Sequence, residues 1–241
     1  MSVLLTPRLE KAASLVGVDV CSAKGGTLTF CGTETVVADV GCDHGYLSLH
    51  LFLSGKCNRV IASDLREGPL ASAKANIEAH GCSESIHTVL TNGLDGLDGY
   101  GITDAVICGM GGDTMMDILS RASFLKKKGT RLILQPQSAY AELMIYLSTE
   151  GFRIYAERYA EDHKKPYRVI GVVYDGIGEE LSLARALVGS PTFSEDNAAY
   201  VAFCRKILNT VEKKIFGAKQ RGSDTASLES LRDDILVQMN L

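Results

Sequence analysis

The segment at residues 36–47, which reads VVADVGCDHGYL, constrains the fold more than any other part of the chain. Its first five residues form a short run that is mostly β-branched, a composition typical of a strand that is buried on both faces. Gly41 then permits a tight turn, and a helical pattern resumes at Gly45. A strand, a glycine-bearing turn and a helix in this order predict the nucleotide site of a doubly wound α/β fold.

The charge of this turn narrows the choice of ligand. Asp39 ends the strand and Asp43 lies in the turn, so a pyrophosphate at the helix N-terminus would face two carboxylates. A ligand with an ammonium and a sulfonium would be attracted instead, and Gly41-x-x-x-Gly45 differs from the G-x-G-x-x-G of dinucleotide binders. The turn therefore favours S-adenosylmethionine over a dinucleotide. The alternative is a buried strand followed by an Asp-capped helix, without a ligand.

The composition is that of a globular protein. Of the 241 residues, 46% are hydrophobic and 22% charged, which suits one ordinary domain with a small appendage. The formal net charge of −4 argues against a uniformly basic nucleic-acid binder, but it leaves room for a local basic patch.

No apolar run reaches the length of a membrane span, and residues 1–16 lack the layout of a signal peptide. Seven cysteines without a C-x-x-C pair predict reduced thiols in the cytoplasm, with neither disulfides nor a metal site.

Hydrophobic periodicity divides the chain into alternating strands and helices. It predicts a leading helix over 4–16, with Pro7 in its first turn, and a turn or hairpin over 18–35. Parallel strands are predicted at 36–40, 59–63, 86–90, 105–108 and 130–134, and helices at 45–53, 69–80, 113–121 and 139–150. Two last strands, at 152–158 and 167–174, should be antiparallel, because the polar turn at 161–166 is too short for a helical crossover. Such a sheet is typical of Rossmann-like methyltransferases.

Polar residues and glycines follow several strands, at the edge where an α/β fold binds its ligand. Asp64 follows Gly41 at about the 20-residue spacing of an acid that contacts ribose hydroxyls, although it also suits a helix N-cap. Asn92 either lies near an adenine or forms a surface turn. The GMGG segment at 109–112 lets a flat ring approach the backbone, or is only a tight turn that needs glycine. We interpret Cys42 as a small residue that fills the turn, rather than a reactive thiol.

The segment after the fourth strand lacks a motif that other methyltransferases carry at this point. Amino-directed DNA methyltransferases carry Asp/Asn-Pro-Pro-aromatic there, which supports an exocyclic amine while it is methylated. A ring nitrogen already offers an in-plane lone pair, so GMGG weakly favours ring-nitrogen chemistry. After the fifth strand, Gln135 and Gln137 either read a base edge or cap the next helix.

The last part of the chain has a different pattern. After Ser194, a predicted cap, apolar residues recur at helical spacing over 201–215, and again over 228–235 after a break at 217–222. Two such helices predict an antiparallel hairpin or a small coiled coil. The first helix carries a basic stripe, which either contacts an RNA backbone or is a solvated face: Arg205, Lys206, Lys213 and Lys214.

Four segments together resemble one family. They are DVGCDHGYL, GMGG, LILQPQ and the E-D-x-K-x-x-Y of residues 161–167. The chain resembles the bacterial tRNA adenine-N1 methyltransferases called TrmK, whose target is adenine 22 in the D-arm of tRNA. The resemblance implies a Rossmann-like class I S-adenosylmethionine-dependent methyltransferase domain over 1–176, and a C-terminal helical hairpin over 177–241 that helps to grip tRNA.

The resemblance also implies roles for individual residues. The cofactor-binding residues that it implies are Asp39, Gly41, Cys42, Asp43, His44, Asp64, Leu65, Asn92, Gly93, Gly109, Met110 and Gly111. Asp64 would hold the ribose, and Gly109, Met110 and Gly111 would border the entry of the target base. Arg8 and the basic stripe would contact tRNA. The family usually has Asp where this chain has Asn92, so we expect tuned rather than lost cofactor binding.

The reaction would move the sulfonium methyl to adenine N1, mainly by placing the two atoms at attack distance. Asp43 and His44 are the candidate catalytic residues for stabilising charge or removing an N6 proton, and the alternative is that each serves cofactor binding alone. Two other functions stay open: methylation of a small molecule or protein, with the hairpin used for dimerisation, and RNA binding without catalysis. The sequence leaves both a monomer and a weak dimer open.

Overall fold

The computed structural model describes residues 3–18, 34–193 and 197–239. Most of the predicted turn or hairpin at 18–35, and the predicted cap at Ser194, lie outside the described residues. The strands are β1 Val36–Val40, β2 Arg59–Asp64, β3 Ile86–Leu90, β4 Asp104–Met110, β5 Arg131–Pro136, β6 Phe152–Asp162 and β7 Lys165–Tyr174. The α-helices are α1 Pro7–Leu15, α2 Tyr46–Leu53, α3 Glu67–Ala79, α4 Gly112–Arg121, α5 Tyr140–Thr149, α6 Leu183–Val188, α7 Asn197–Gln220 and α8 Ala226–Met239.

All seven strands belong to one sheet, in the order β3-β2-β1-β4-β5-β7-β6. The strands β1 to β5 are parallel, and β7 pairs antiparallel with both β5 and β6. The predicted parallel sheet with an antiparallel last pair is therefore confirmed. The order reverses at β1 and β4, so the carboxyl ends of these two strands form the edge where such folds bind ligands.

Helices cover both faces of the sheet. Consecutive strand residues belong to opposite cores, which explains why β1 is buried along its whole length. One core includes Ala38, Ile107 and Leu134 with residues of α4 and α5, and the other includes Val37, Val106 and Ile133 with residues of α1, α2 and α3.

The last two strands are longer than predicted. The predicted polar turn at 161–166 is wrong, because only His163 and Lys164 form the turn, both at positive φ, while Glu161 and Asp162 pair with β7. The pairing of β5 with β7 ends at Leu134 and Ile170, but β6 and β7 continue to pair beyond it. Residues 158–169 thus form a two-stranded arm that rises past the carboxyl edge of β5.

The helical hairpin is confirmed and is antiparallel. Lys219 pairs with Glu229 across the connection at 2.7 Å, and at the other end the Tyr200 hydroxyl donates to the Gln238 carbonyl at 3.1 Å. The helix α7 runs through the predicted break to Gln220. Its apolar face joins Tyr140 and Tyr159 in a third core, so the hairpin packs directly on the sheet domain.

Candidate active site

The turn after β1 meets the turn after β4. Gly41 has φ +73°, and its N–H and that of Cys42 donate to the Ser63 carbonyl at 2.8 and 2.9 Å. A Cβ at Gly41 would lie 2.6 Å from Met110 Cε, so no larger residue fits without rearrangement. Two sequence-predicted segments are thus brought into contact.

Two buried carboxylates lie beneath this turn. Asp39 is 4% exposed and accepts a hydrogen bond from Ser48 Oγ at 2.6 Å. Burial raises the pKa of Asp39 to about 6, although the Ser48 hydrogen bond opposes the change. Asp64 is also buried and accepts the N–H groups of Asp43 at 3.2 Å and Arg66 at 2.9 Å. Among the described residues, no cationic side chain pairs with Asp39.

Asp43 and His44 lie at the rim. Their side chains are 60% and 51% exposed, and His44 Nε2 is 3.8 Å from Asp43 Oδ2. Asp43 has φ +51°, a conformation that only a few non-glycine residues adopt. Cys42 is buried, and burial raises the pKa of its thiol far above the ordinary value. This burial supports the interpretation of Cys42 as a residue that fills the turn.

Neighbouring strand ends supply the residues predicted for the adenosine. Leu65, directly after Asp64, is a large apolar side chain that is 66% exposed. Asn92 is exposed, and the Gly93 carbonyl accepts a hydrogen bond from Ser63 Oγ at 3.0 Å. The ends of β2 and β3 are thus held together, with an exposed apolar surface beside a buried acid.

Arg8 lies inside the site rather than in solvent. Its Nη1 and the N–H of Gly109 both donate to Gln135 Oε1, at 3.0 and 3.1 Å. Gly109 has φ +79°, and a Cβ there would lie 3.4 Å from Arg8 Nη1 and 3.7 Å from Gln137 Nε2. Gly111 precedes α4 and has Ser138 Oγ 3.0 Å from its Cβ position, so the glycines of the β4 turn leave little free space for side chains.

The sequence did not indicate Asp162 and Tyr167 as site residues, although both lie beside Arg8. Arg8 Nε lies 3.4 Å from Asp162 Oδ2, and the Arg8 guanidinium lies 5.9 Å from the centre of the Tyr167 ring. Both residues belong to the arm. The E-D-x-K-x-x-Y segment includes them in the resemblance, but its polar composition predicted only a turn between the last two strands.

The basic stripe is divided by the structure. Arg205, Lys213 and Lys214 are exposed on α7. Lys206 instead donates from Nζ to the Tyr140 hydroxyl at 3.2 Å and lies 5.9 Å from the centre of the Tyr167 ring. Burial, with a smaller effect of the Lys165 charge, lowers the pKa of Lys206. Three of the four residues of the basic stripe therefore face solvent.

The described residues contain neither a cluster of metal ligands nor a membrane-spanning helix. Within residues 3–18, 34–193 and 197–239, no three His, Cys, Asp or Glu side chains are grouped so as to hold a metal ion. No helix in the described part of the chain has the length and apolar character of a membrane span.

The fold and the site define the class of Rossmann-like methyltransferases, and the family described as "Methyltransferase domain" matches residues 28–170. The chain is 32% identical over 174 residues to the tRNA (adenine(22)-N(1))-methyltransferase of Bacillus subtilis (strain 168), covering 69% of this chain and 71% of that protein. The chain therefore belongs to the TrmK family of tRNA (adenine(22)-N(1))-methyltransferases.

Solved structures extend the similarity over nearly the whole chain. The crystal structure of B. subtilis TrmK is 27% identical, with a TM-score of 0.74 and coverage of 99% of this chain and 97% of that chain. The Streptococcus pneumoniae protein Sp1610, in complex with S-adenosyl-L-methionine, is 30% identical, with a TM-score of 0.73 and coverage of 96% and 98%. The match therefore includes the C-terminal hairpin as well as the sheet domain.

Proposed function

We propose that the chain transfers a methyl group from S-adenosylmethionine to N1 of adenine 22 in tRNA. The observation that carries the acceptor is the 32% identity across 71% of a tRNA (adenine(22)-N(1))-methyltransferase. The site agrees with a cationic donor, because the buried carboxylates of Asp39 and Asp64 lie beneath its glycine turn.

The residues fit S-adenosylmethionine in three respects. Asp39 is a buried carboxylate that a cationic amino group would stabilise. Each Asp64 oxygen accepts one backbone N–H and keeps acceptor capacity for ribose hydroxyls. Gly41 leaves the backbone of the turn open to close approach. When bound, the cofactor supplies a methyl group on a sulfonium.

We assign the remaining cofactor residues by their place around this turn. Cys42, Asp43 and His44 border the methionine end, and Leu65, Asn92 and Gly93 border the adenine. Gly109, Met110 and Gly111 form the lip where the target base enters. Asp43 and His44 are also the candidate catalytic residues, because they are exposed titratable groups of this turn. If Asp43→Asn keeps full turnover and normal cofactor binding, the Asp43 charge has no part in the chemical step.

The tRNA surface is assigned to the hairpin over 177–241, with the methyltransferase domain over 1–176. Arg205, Lys213 and Lys214 present positive charge to solvent, and each phosphate contact makes binding depend on salt. Changing all three to Gln should weaken tRNA binding and reduce the slope of log affinity against log salt by about 0.7–0.9 per lost contact. Lys74→Gln, at an exposed position on α3, is the control. Unchanged binding and slope would favour a small-molecule or protein acceptor.

The direct test is methyl transfer from labelled S-adenosylmethionine to unmodified tRNA, followed by nucleoside analysis. We expect 1-methyladenosine, and none in a tRNA with guanine at position 22. Cofactor binding without transfer to tRNA would refute the acceptor and keep the methyltransferase. If neither transfer nor binding occurs, the assignment of Asp39, Gly41 and Asp64 is wrong.

A further inference from the structure

Asp162 is a buried carboxylate at the exposed tip of the arm. It is 6% exposed, and it ends β6 directly opposite Lys165, while its neighbours Glu161 and His163 face solvent. The arm rises beyond the last pair of β5 with β7, so Asp162 stands above the carboxyl edge of the sheet. That edge is where the proposed function places the reacting atoms.

One guanidinium group connects Asp162 to the lip of the site. Arg8 Nη1 donates to Gln135 Oε1, which also accepts the Gly109 N–H, while Arg8 Nε lies 3.4 Å from Asp162 Oδ2. The Arg8 guanidinium and the Gln135 amide therefore connect the carboxylate to the Gly109 backbone. The Tyr167 ring, 5.9 Å from the guanidinium carbon, lies beside the same group.

The reaction determines what a carboxylate in this place would do. The adenine N1 lone pair forms a bond to the methyl carbon, and the electron pair of the breaking C–S bond goes to sulfur. The positive charge of the sulfonium is thereby transferred to the adenine and spreads over N1, C6 and N6. A carboxylate that accepts a hydrogen bond from N6–H stabilises this charge as it develops.

The other two buried carboxylates of the edge are already assigned elsewhere. Asp39 lies under the turn of β1, at the proposed methionine end, and Asp64 lies at the end of β2, where the ribose would bind. Asp162 is the buried carboxylate on the side of the lip where the base enters.

We propose that Asp162 is a catalytic residue that accepts a hydrogen bond from the N6 amino group of the target adenine. Arg8 is a positioning residue that holds this carboxylate against the lip. This inference rests on the proposed function, and it identifies the group through which the site recognises adenine rather than another base. A guanine has a carbonyl at the corresponding position and would be repelled by the carboxylate.

The test is a double-mutant cycle, in which Asp162 is changed in the protein and the N6 amino group is removed from the substrate. The substrates are tRNA with adenine at position 22 and the same tRNA with purine there, which keeps N1 and lacks the amino group. With the wild-type protein, purine should lower kcat/KM about 10- to 100-fold, the value of a hydrogen bond to a charged group. Asp162→Ala should cause a similar loss with adenine. In Asp162→Ala, replacing adenine by purine should lower kcat/KM by no more than about 3-fold, since the hydrogen bond is already absent.

Controls separate chemistry from folding. Glu161→Ala changes an exposed carboxylate on the same arm and should leave both substrates unaffected. The cofactor affinity of Asp162→Ala should match the wild type. Its thermal midpoint should fall, because Arg8 loses a buried partner, and a cooperative melt above the assay temperature shows that the variant is folded. If that variant does not fold, Asp162→Asn replaces it. The Asn keeps an acceptor and loses the charge, so its turnover should fall while its preference for adenine over purine remains.

The role of Arg8 has its own readout. Arg8→Gln should lower kcat and the adenine-to-purine ratio together, and Arg8→Lys should restore part of both. A structural role alone would change stability without changing that ratio. If the losses from Asp162→Ala and from purine multiply, the inference is wrong. If the wild type does not methylate tRNA that carries adenine 22, the proposed function fails instead.

Discussion

The protonation of Asp39 should control both the stability of the free protein and its affinity for the cofactor. The side chain is buried, has Ser48 Oγ as a hydrogen-bond donor, and has a pKa raised by burial to about 6. Asp39→Asn keeps the shape and an acceptor for Ser48, but it removes the charge. This single change tests the electrostatics of the turn.

The effect on stability follows from the sign of the pKa change. The folded protein holds the Asp39 proton more tightly than the unfolded chain, so this stabilisation is complete below the ordinary pKa of 3.8 and is lost as the pH rises through about 6. The cost of the buried charge at pH 7 is about 3 kcal/mol. Asp39→Asn should therefore raise the free energy of unfolding by about 1–3 kcal/mol at pH 7, allowing for an amide N–H2 that needs a partner.

The effect on cofactor binding has the opposite pH dependence. If a cationic amino group binds beside Asp39, binding requires the ionised carboxylate. For a pKa of about 6, the ionised fraction falls from about nine-tenths at pH 7 to about one-tenth at pH 5. The affinity should therefore fall about tenfold over this range.

Isothermal titration calorimetry at pH 5, 6 and 7 measures this dependence, and urea titration at the same pH values measures stability. S-adenosylhomocysteine keeps the amino group and lacks the sulfonium, so it should give the same slope. In Asp39→Asn both curves should become flat and the affinity should be low throughout. A slope that persists in Asp39→Asn and disappears in His44→Gln would assign the titration to the imidazole and refute the reasoning.

Three further predictions concern packing around the site. Gly93→Ala should lower the free energy of unfolding by about 1–3 kcal/mol, because its Cβ would lie 2.8 Å from Ile118 at a positive φ; an unchanged urea midpoint would contradict this. Glu157→Gln should lower the free energy of unfolding by about 3–5 kcal/mol, because it leaves the fully buried Arg168 charge without this carboxylate; a thermal midpoint equal to that of the wild type would count against it. The Cys42 thiol, whose pKa is raised by burial, should react with a disulfide reagent at pH 8 only when the protein unfolds; rapid labelling of Cys42 in the native protein, located by peptide mass spectrometry, would refute the assignment.

The sheet was predictable from the sequence because its strands are local signals. β1 and β3 have the predicted bounds, and β2 is longer by one residue. The buried strands β1, β2 and β4 are short apolar runs that each end near a glycine or an acid. Placing Asp39, Asp64 and Gly109 at one edge then required only the rule that parallel strands share their carboxyl ends.

The arm was not predictable by the same rule. It buries the polar residues Asp162 and Arg168, and Asp162 lies beyond residue 158, where the pattern ends the first of the two strands. Each is satisfied by a partner from another part of the chain, for example Arg8 for Asp162. The tight turn also lacks the glycine that would have marked it in the sequence, although both of its residues, His163 and Lys164, adopt positive φ. Tertiary contacts therefore decide this element, and single-sequence patterns do not contain them.

The two ends of the site should affect catalysis in different ways. The cofactor is already a cation before the reaction, so a carboxylate at its end, such as Asp39, stabilises a charge that is present in the ground state. Asp162 would meet a charge that appears on the adenine only as the methyl group moves, which is the condition for lowering the barrier. Asp39→Asn should therefore raise KM for S-adenosylmethionine with a smaller change in kcat, and Asp162→Asn should lower kcat with KM for the cofactor preserved. Steady-state kinetics on both variants measure this split. Equal changes in kcat for both variants would mean that the carboxylates act on the same charge, and the division of the site into a donor end and an acceptor end would be wrong.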